Sequence, residues 1–295
     1  MTPVARGRGR RSPIPPGPRR SGGALVVCPT PIGNLEDITL RVLRALAEAD
    51  VIACEDTRRT RVLLDRHGLH DRPLTAYHEH NEGTRAPQLA ARVAGGDRVA
   101  LVSDAGMPLV SDPGHLLLRR CLEEDLLVEV LPGPSAPLVA LVASGLGAAR
   151  FTFVGFLPRR AGELGALWRE QRGTVVAFES PNRLAASLRV LAAEEPDRPV
   201  AVGRELTKLH EEVVRGSAAE LAARYAAAPA VGEVVLVAGP AAEGQADLAA
   251  GLDALEGLVQ AGARSRPAAT VVARLTGASA NALYRGLAAR RAGAA

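Results

Sequence analysis

The sequence predicts an α/β protein in two halves with a small helical region towards its C-terminal end. Three observations carry that reading. Through about residue 145, short apolar runs of strand length alternate with helix-like segments, the pattern of a parallel sheet with crossover helices. Between Phe151 and Val237, five further strand signals lie close enough for hairpins, which points to a mixed or antiparallel sheet. The last segments, Arg266–Leu275 and Ala280–Arg290, are helical and flank the turn Thr276-Gly277-Ala278, a helix–turn–helix pattern with Ser279 as N-cap.

In the first half, the apolar run Ala24–Val27 enters a loop of two prolines, a glycine and an asparagine, Cys28-Pro-Thr-Pro-Ile-Gly-Asn34. The helix Leu40–Ala49 follows, with Leu40, Leu43 and Leu46 on one face. A stiff loop at a strand's carboxyl end is where open α/β sheets bind ligands. Val51–Cys54 runs into Glu55-Asp-Thr-Arg-Arg-Thr60. Arg98–Val102 runs into Ser103-Asp-Ala-Gly106, and Leu126–Leu131 into Pro132-Gly-Pro-Ser135. Helices are expected at Thr84–Ala94, Gly114–Glu124 and Ala136–Ser144, the last with Ser135 as N-cap. In the second half, strands are expected at Phe151–Gly155, Thr174–Phe178, Pro199–Val202, Glu212–Arg215 and Glu233–Val237, with helices at Leu184–Ala193 and Ala218–Ala227. Ala241–Asp247 reads as a polar, small-residue linker. The expected organisation is a disordered basic tail over 1–22, α/β domains over 23–145 and 146–242, and a helical domain over 247–292.

Composition excludes several function classes. Residues 1–22 hold six arginines, five prolines and no acid. The whole chain carries +4, so the remainder is near −2, and RNA affinity must come from local patches or the tail. The tail lacks the apolar core of a signal peptide, and no apolar run reaches membrane-spanning length. Three cysteines without a C-x-x-C suit a reducing cytoplasm. Lys208 is the single lysine and follows Thr207, so there is no Gly-Lys of a P-loop. Gly145-Leu-Gly147 lacks the third glycine of a dinucleotide fingerprint, and Pro137 stands where a nucleophile elbow around Ser135 needs glycine. His78-Glu-His-Asn-Glu82 is the densest polar cluster. On a strand, His78 and His80 would share a face, but no third ligand has metal-site spacing, so no metal is assigned and a substrate-facing loop is the better reading.

Acids and cations at several strand ends, Glu55 with Arg58, Glu179 with Arg183, and Arg204 and Glu205 with Lys208, describe a cleft for a charged polar ligand. The ordered motifs Pro29-Thr-Pro-Ile-Gly-Asn34, Cys54-Glu-Asp-Thr-Arg58, His78-Glu-His-Asn-Glu82, Leu101-Val-Ser-Asp-Ala-Gly106, Ser111-Asp-Pro-Gly114, Gly155-Phe-Leu-Pro158, Arg204-Glu-Leu-Thr-Lys208 and Asn281-Ala-Leu-Tyr284 resemble the ribosomal RNA small-subunit methyltransferase I family of the tetrapyrrole-methylase superfamily. The resemblance covers residues 24 to about 290. It implies a two-domain tetrapyrrole-methylase-like fold and transfer of a methyl group from S-adenosylmethionine to the 2′-hydroxyl of a cytidine in the decoding region of 16S ribosomal RNA. A cytoplasmic homodimer acting on the small ribosomal subunit is also implied.

By the same resemblance, cofactor contacts fall on Pro31, Asp104, Ala105, Gly106, Met107, Val110, Ser135, Ala136 and Glu179. Met107 stands in place of a usual threonine and Asn182 in place of a common histidine. Arg159–Trp168 is shorter and less basic than the family's usual insertion. A 2′-hydroxyl needs a base or a nearby cation, and Lys208, Glu205, Glu55, Glu79 and His78 are the candidates. His80, Arg58, Arg183 and Arg204 are candidates for holding substrate. The alternatives are a methylase of a corrin or porphyrin precursor, and a non-catalytic RNA-binding assembly module.

Overall fold

The computed structural model describes residues 22–242 and 245–293, so all but the last residue of the expected basic tail lies outside the described residues. In the first half, β1 (Ala24–Val27), β2 (Val51–Cys54), β3 (Leu74–Ala76), β4 (Arg98–Val102) and β5 (Val128–Val130) form one sheet in the order β3-β2-β4-β1-β5. Every pairing in it is parallel. Helices α1 (Leu40–Glu48), α2 (Thr57–Arg66), α3 (Glu82–Ala94) and α4 (His115–Glu123) make the crossovers. A parallel sheet must be covered on both faces. Val42 and Leu46 of α1 pack with Val26, Ile52 and Ala100 on one side, and Leu89, Val93 and Leu117 with Leu25, Val99 and Leu101 on the other. Local chemistry fixes the approach to α1: the Asn34 side chain caps the short 3-10 turn Leu35–Asp37 by accepting from the Glu36 N–H, and the Thr39 hydroxyl caps α1 by accepting from the Val42 N–H.

Helix α5 (Ala136–Ser144) crosses to the second sheet. Its Ala140 and Leu141 share a core with Val176, Ala201, Val235 and Val237, and Ile32 of the first proline-rich loop enters the same core. The second sheet holds β6 (Phe151–Phe156), β7 (Thr174–Glu179), β8 (Pro199–Arg204), β9 (Glu212–Ser217) and β10 (Val234–Ala238), in the order β6-β7-β10-β8-β9. Only β6–β7 is parallel, so the expected mixed sheet is present. Helices α6 (Ala161–Glu170), α7 (Pro181–Glu194) and α8 (Ala218–Ala227) cover its far face around the fully buried Trp168.

Four elements escape the sequence pattern. Helix α2 is rich in arginine and buries only Thr60, Leu63 and Leu64. Strand β3 is three residues long. Helix α6, Ala161–Glu170, begins within the Arg159–Trp168 insertion and runs two residues past it. The linker expected over Ala241–Asp247 gives way at Gln245 to α9 (Gln245–Gln260), whose alanines and glycines leave a weak apolar stripe. The expected helix–turn–helix is therefore part of a three-helix cluster. In it α9 packs on α10 (Ser265–Thr276) and α11 (Ala280–Gly293) around Leu255, Val272, Leu283 and Leu287.

Candidate active site

The loop after β1 is tied to both halves. Thr30 and Gly106 exchange backbone hydrogen bonds of 2.8 and 3.0 Å, and the Thr30 hydroxyl donates to the Ser103 carbonyl at 3.1 Å. Gly106 sits at φ +79°, a backbone state costly for any residue with a side chain. Towards the second half, a Cβ on Gly33 would lie 2.5 Å from Lys208 Cγ and 2.8 Å from Thr207 Oγ1. The Asn34 N–H donates to that same hydroxyl at 3.0 Å. Proline and glycine here set a close approach between the loops after β1, β4 and β8.

Two cavities flank this clamp. The first, about 370 Å³, lies within the usual size of a small-molecule site. Ala105, Gly106, Met107, Val110, Ser135 and Ala136 form one wall, with Ser111 and Asp112 beside them. Phe156, Phe178, Glu179, Glu233 and Val235 form the other. The Phe156 and Phe178 rings stand 5.3 Å apart. The second cavity, about 360 Å³, is lined by Thr30, Pro31, Arg59, Asp104 and Lys208 among others. Ile32, Ala105 and Glu233 line both cavities. Four non-glycine residues with left-handed backbone flank these spaces, Leu109 (φ 72°), Ser111 (67°), Glu205 (49°) and Thr207 (67°). Strain of this kind, about 1–3 kcal/mol per residue, concentrates at functional sites.

The expected site residues separate on these walls. Seven of the nine cofactor candidates line the first cavity, while Pro31 and Asp104 face the second. Ser135 stands at the N-cap of α5, yet its hydroxyl makes no capping bond, so the expected cap is absent and the side chain borders the cavity instead. The Glu179 carboxylate is buried and committed. It accepts from the Ser180 N–H at 2.7 Å and from the Ser187 hydroxyl, and pairs with Arg183 at 3.3 Å. Arg183 also donates to the carbonyls of Leu157 and Pro158. Arg204 is spent on Glu212 and the Val231 carbonyl. Both arginines brace the second sheet and line neither cavity.

Lys208 is an ammonium held by two acids, with Nζ 2.9 Å from Glu205 Oε1 and 3.0 Å from Glu233 Oε2. Burial works against its charge, but these bonds outweigh it and raise its pKa. Glu205 Oε1 also accepts the Glu233 N–H at 2.9 Å; that bond first, and Lys208 second, hold the Glu205 carboxyl below its ordinary range. Glu55 lies just off the cavity walls and is shifted upward by burial and then by Asp104. His78 and His80 follow the end of β3 and lie on a turn, not a strand, so they do not share a strand face. The His78 ring contacts the Asn81 amide at 3.2 Å, and His80 is exposed beside Glu79. Arg58, 90% exposed, forks onto Asp56 at 3.2 and 3.0 Å and pulls that carboxyl down to about 2.

Sequence reasoning missed Arg59, Glu233, Phe156, Phe178 and Asp112. Arg59 pairs with Asp104 at 3.2 Å on the second cavity. Asp112 stands in a motif whose role was left blank. Burial and then the charge of Glu55 push its carboxyl up to about 6, partly opposed by the Ser103 hydroxyl. Only pairing across distant strands shows which of these groups are free.

Residues 24–222 match the model of the tetrapyrrole (corrin/porphyrin) methylases. The chain is 50% identical to the ribosomal RNA small subunit methyltransferase I of Mesorhizobium japonicum, covering 90% of this chain and 91% of that protein. It is 44% identical to the Thermotoga maritima protein of the same name, covering 73% and 97%. Among solved structures, uroporphyrin-III C-methyltransferase from Thermus thermophilus complexed with S-adenosylhomocysteine superposes at TM-score 0.52 and 21% identity, over 74% of this chain and 97% of that one. A diphthine synthase superposes at 0.55 and 17%, over 73% and 90%. At such identities the structural likeness establishes the fold alone.

Proposed function

The chain belongs to the ribosomal RNA small subunit methyltransferase I family, and on that premise we propose that it methylates the 2′-hydroxyl of a cytidine in the decoding region of 16S ribosomal RNA, with S-adenosylmethionine as donor. The observation that carries this reading is the contact of two cavities through Ile32, Ala105 and Glu233. One cavity has an apolar wall, two aromatic rings and exposed backbone, and suits the donor. The other has Arg59 and Lys208 among its walls, and suits a single unstacked nucleotide, the form in which proteins read RNA bases and 2′-hydroxyls.

The fit to the donor rests on Gly106. A Cβ there would make only an ordinary contact with Ile32 Cγ2 at 3.4 Å, so it is the left-handed backbone at φ +79° that calls for glycine in that wall. Ala105, Gly106, Met107, Val110, Ser135, Ala136 and Glu179 would hold the donor, several of them through backbone atoms. The donor supplies a methyl group already activated on a sulfonium. This chain then has to align the hydroxyl with that methyl and keep water out, a proximity effect. The clamp around Thr30, Gly33 and Thr207 fixes the wall between the two cavities. Lys208, shared between Glu205 and Glu233, would offer an ammonium N–H to the oxygen on which alkoxide character develops. Met107 supplies no hydroxyl, so that wall contacts the donor through backbone and thioether.

Three structural units go with this reading: 23–145 and 146–242 enclosing the cavities, and 247–292 apart from them. A homodimer is supported by apolar side chains left in solvent, Val142 on α5 at 76% and Phe156 at 61% exposure. Among the described residues no helix is long and apolar enough to cross a membrane. Action on ribosomal subunits supports a cytoplasmic location.

The test offers purified small subunits and free tetrapyrrole precursors separately, each with labelled S-adenosylmethionine. Label entering the RNA of the subunits is the expected result. Label entering only the tetrapyrrole would replace this reading with the corrin or porphyrin one. Failure to bind the donor at all would favour an assembly module.

A further inference from the structure

Four carboxylates stand on the walls of the two cavities, and three are tied to a cation. Asp104 pairs with Arg59 at 3.2 Å, Glu179 with Arg183 at 3.3 Å and Glu233 with Lys208 at 3.0 Å. The fourth, Asp112, has no cationic partner among the described residues; it lines the first cavity and meets Ser103 and Asp104, which line the second, so it stands towards the junction of the two. Its position is built. Leu109 and Ser111 hold left-handed backbone on either side of Val110. Gly114 closes the loop at φ +136°, where a Cβ would lie 3.0 Å from Leu101 Cδ2 and 3.1 Å from Leu109 Cγ. The His115 ring meets the Leu109 carbonyl at 3.2 Å.

The other candidate bases are placed less well. Glu205 is saturated by Lys208 and the Glu233 N–H, Lys208 is charged, and Glu55 and His78 lie on neither wall. We propose that Asp112 is the proton acceptor of the methyl transfer, a role that rests on the 2′-hydroxyl reading above. The O–H bond breaks with its proton passing to the Asp112 carboxylate, the O–CH3 bond forms, and the electron pair of the broken C–S bond stays on sulfur.

The surroundings suit that role. Glu55 from the end of β2, and Asp104 and Ser103 from the loop after β4, face Asp112. Burial first, and then the two negative charges, make it a stronger base than an ordinary aspartate, while the Ser103 hydroxyl limits the effect. Arg59 on α2 is engaged by Asp104, and across the cavities Glu179 pairs with Arg183 while Glu233 shares Lys208 with Glu205. With its carboxyl near 6, Asp112 is mostly ionised at neutral pH and competent to accept a proton. The rate should rise with pH through that value and level off above it.

The experiment compares wild type, Asp112→Asn, Asp112→Glu and Ser103→Ala. Single-turnover methylation of small subunits is measured against pH, with Kd for S-adenosylmethionine and S-adenosylhomocysteine from calorimetry. Asp112→Asn should lower the rate by about 10²–10⁴-fold, lose the limb near 6 and leave both Kd values unchanged. Asp112→Glu should recover part of the rate, and Ser103→Ala should move the limb to higher pH. Calorimetric binding also reports that each variant is folded. An Asp112→Asn enzyme with full rate, a limb unmoved by Ser103→Ala, or a loss confined to S-adenosylmethionine affinity would overturn the proposal. The last result would make Asp112 a counter-charge to the sulfonium. A wild type that binds donor but leaves the subunits unlabelled would instead remove the substrate reading beneath it.

Discussion

The two sheets build the site by different means. The first is wholly parallel, so its carboxyl-end loops gather on one edge and contribute close-set backbone, with Thr30 paired to Gly106, Gly33 against Lys208 and left-handed Leu109 and Ser111, beside the Arg59–Asp104 pair and Asp112. The second sheet is mixed. Val234 opens β10 opposite both Glu179 and Arg204, so two strand ends and one strand start share an edge. That edge contributes charge, with Lys208 between Glu205 and Glu233 and Glu179 against Arg183. A backbone wall can recognise a ligand by shape at little desolvation cost. A wall of paired charges gives electrostatic leverage but has to be internally balanced. The first cavity lies between the two walls and suits the donor; the second is lined mostly by the first half, with Lys208 and Glu233 reaching it from the second, and suits the nucleotide.

This contrast can be broken at named positions. Arg183→Ala should have the largest effect and should act on stability. It leaves Glu179 buried without its cation, a loss of about 3 kcal/mol, read as a lower denaturation midpoint, whereas a substrate-holding arginine would weaken RNA binding in a still stable protein. Lys208→Ala comes next, lowering turnover by roughly 10²-fold while calorimetric donor affinity holds. Unchanged turnover would remove Lys208 from the chemistry. Gly106→Ala tests the backbone wall. At φ +79° it should cost ~1–2 kcal/mol of stability and weaken donor binding, and an undisturbed donor Kd would place the donor elsewhere. Arg58→Ala should do least. Its exposed side chain is already paired with Asp56, so RNA affinity should change modestly and the salt-dependence slope should drop by about 1 if it contacts a phosphate.

Much of the backbone wall was legible in the sequence. Ala24–Val27, the helix after the first loop, Arg98–Val102 and Ala136–Ser144 were all expected at their observed bounds or within a residue, because short apolar runs are local signals; the Asn34 and Thr39 caps were not singled out. Helix α8 was equally plain, and its Ser217–Glu220 capping box explains why. The arginine-rich α2, the three-residue β3 and the alanine- and glycine-rich α9 carry little of that periodicity. The charged wall was legible only as a set of residues. Whether Arg183, Arg204 or Lys208 faces a ligand or a neighbouring carboxylate depends on pairings up to 28 residues away, such as the Glu233 N–H on Glu205. The same holds for Asp112, whose lack of a cation among the described residues is visible only when the other carboxylates are seen to have theirs.

The central claim is the division of labour between the adjoining cavities, and a crystal structure with S-adenosylhomocysteine tests it most directly. The ligand is expected in the first cavity, against Ala105–Met107 and facing Phe178, with the space beside Arg59 and Lys208 left open for a nucleotide. A ligand seated instead against Pro31, Asp104 and Lys208 would contradict it.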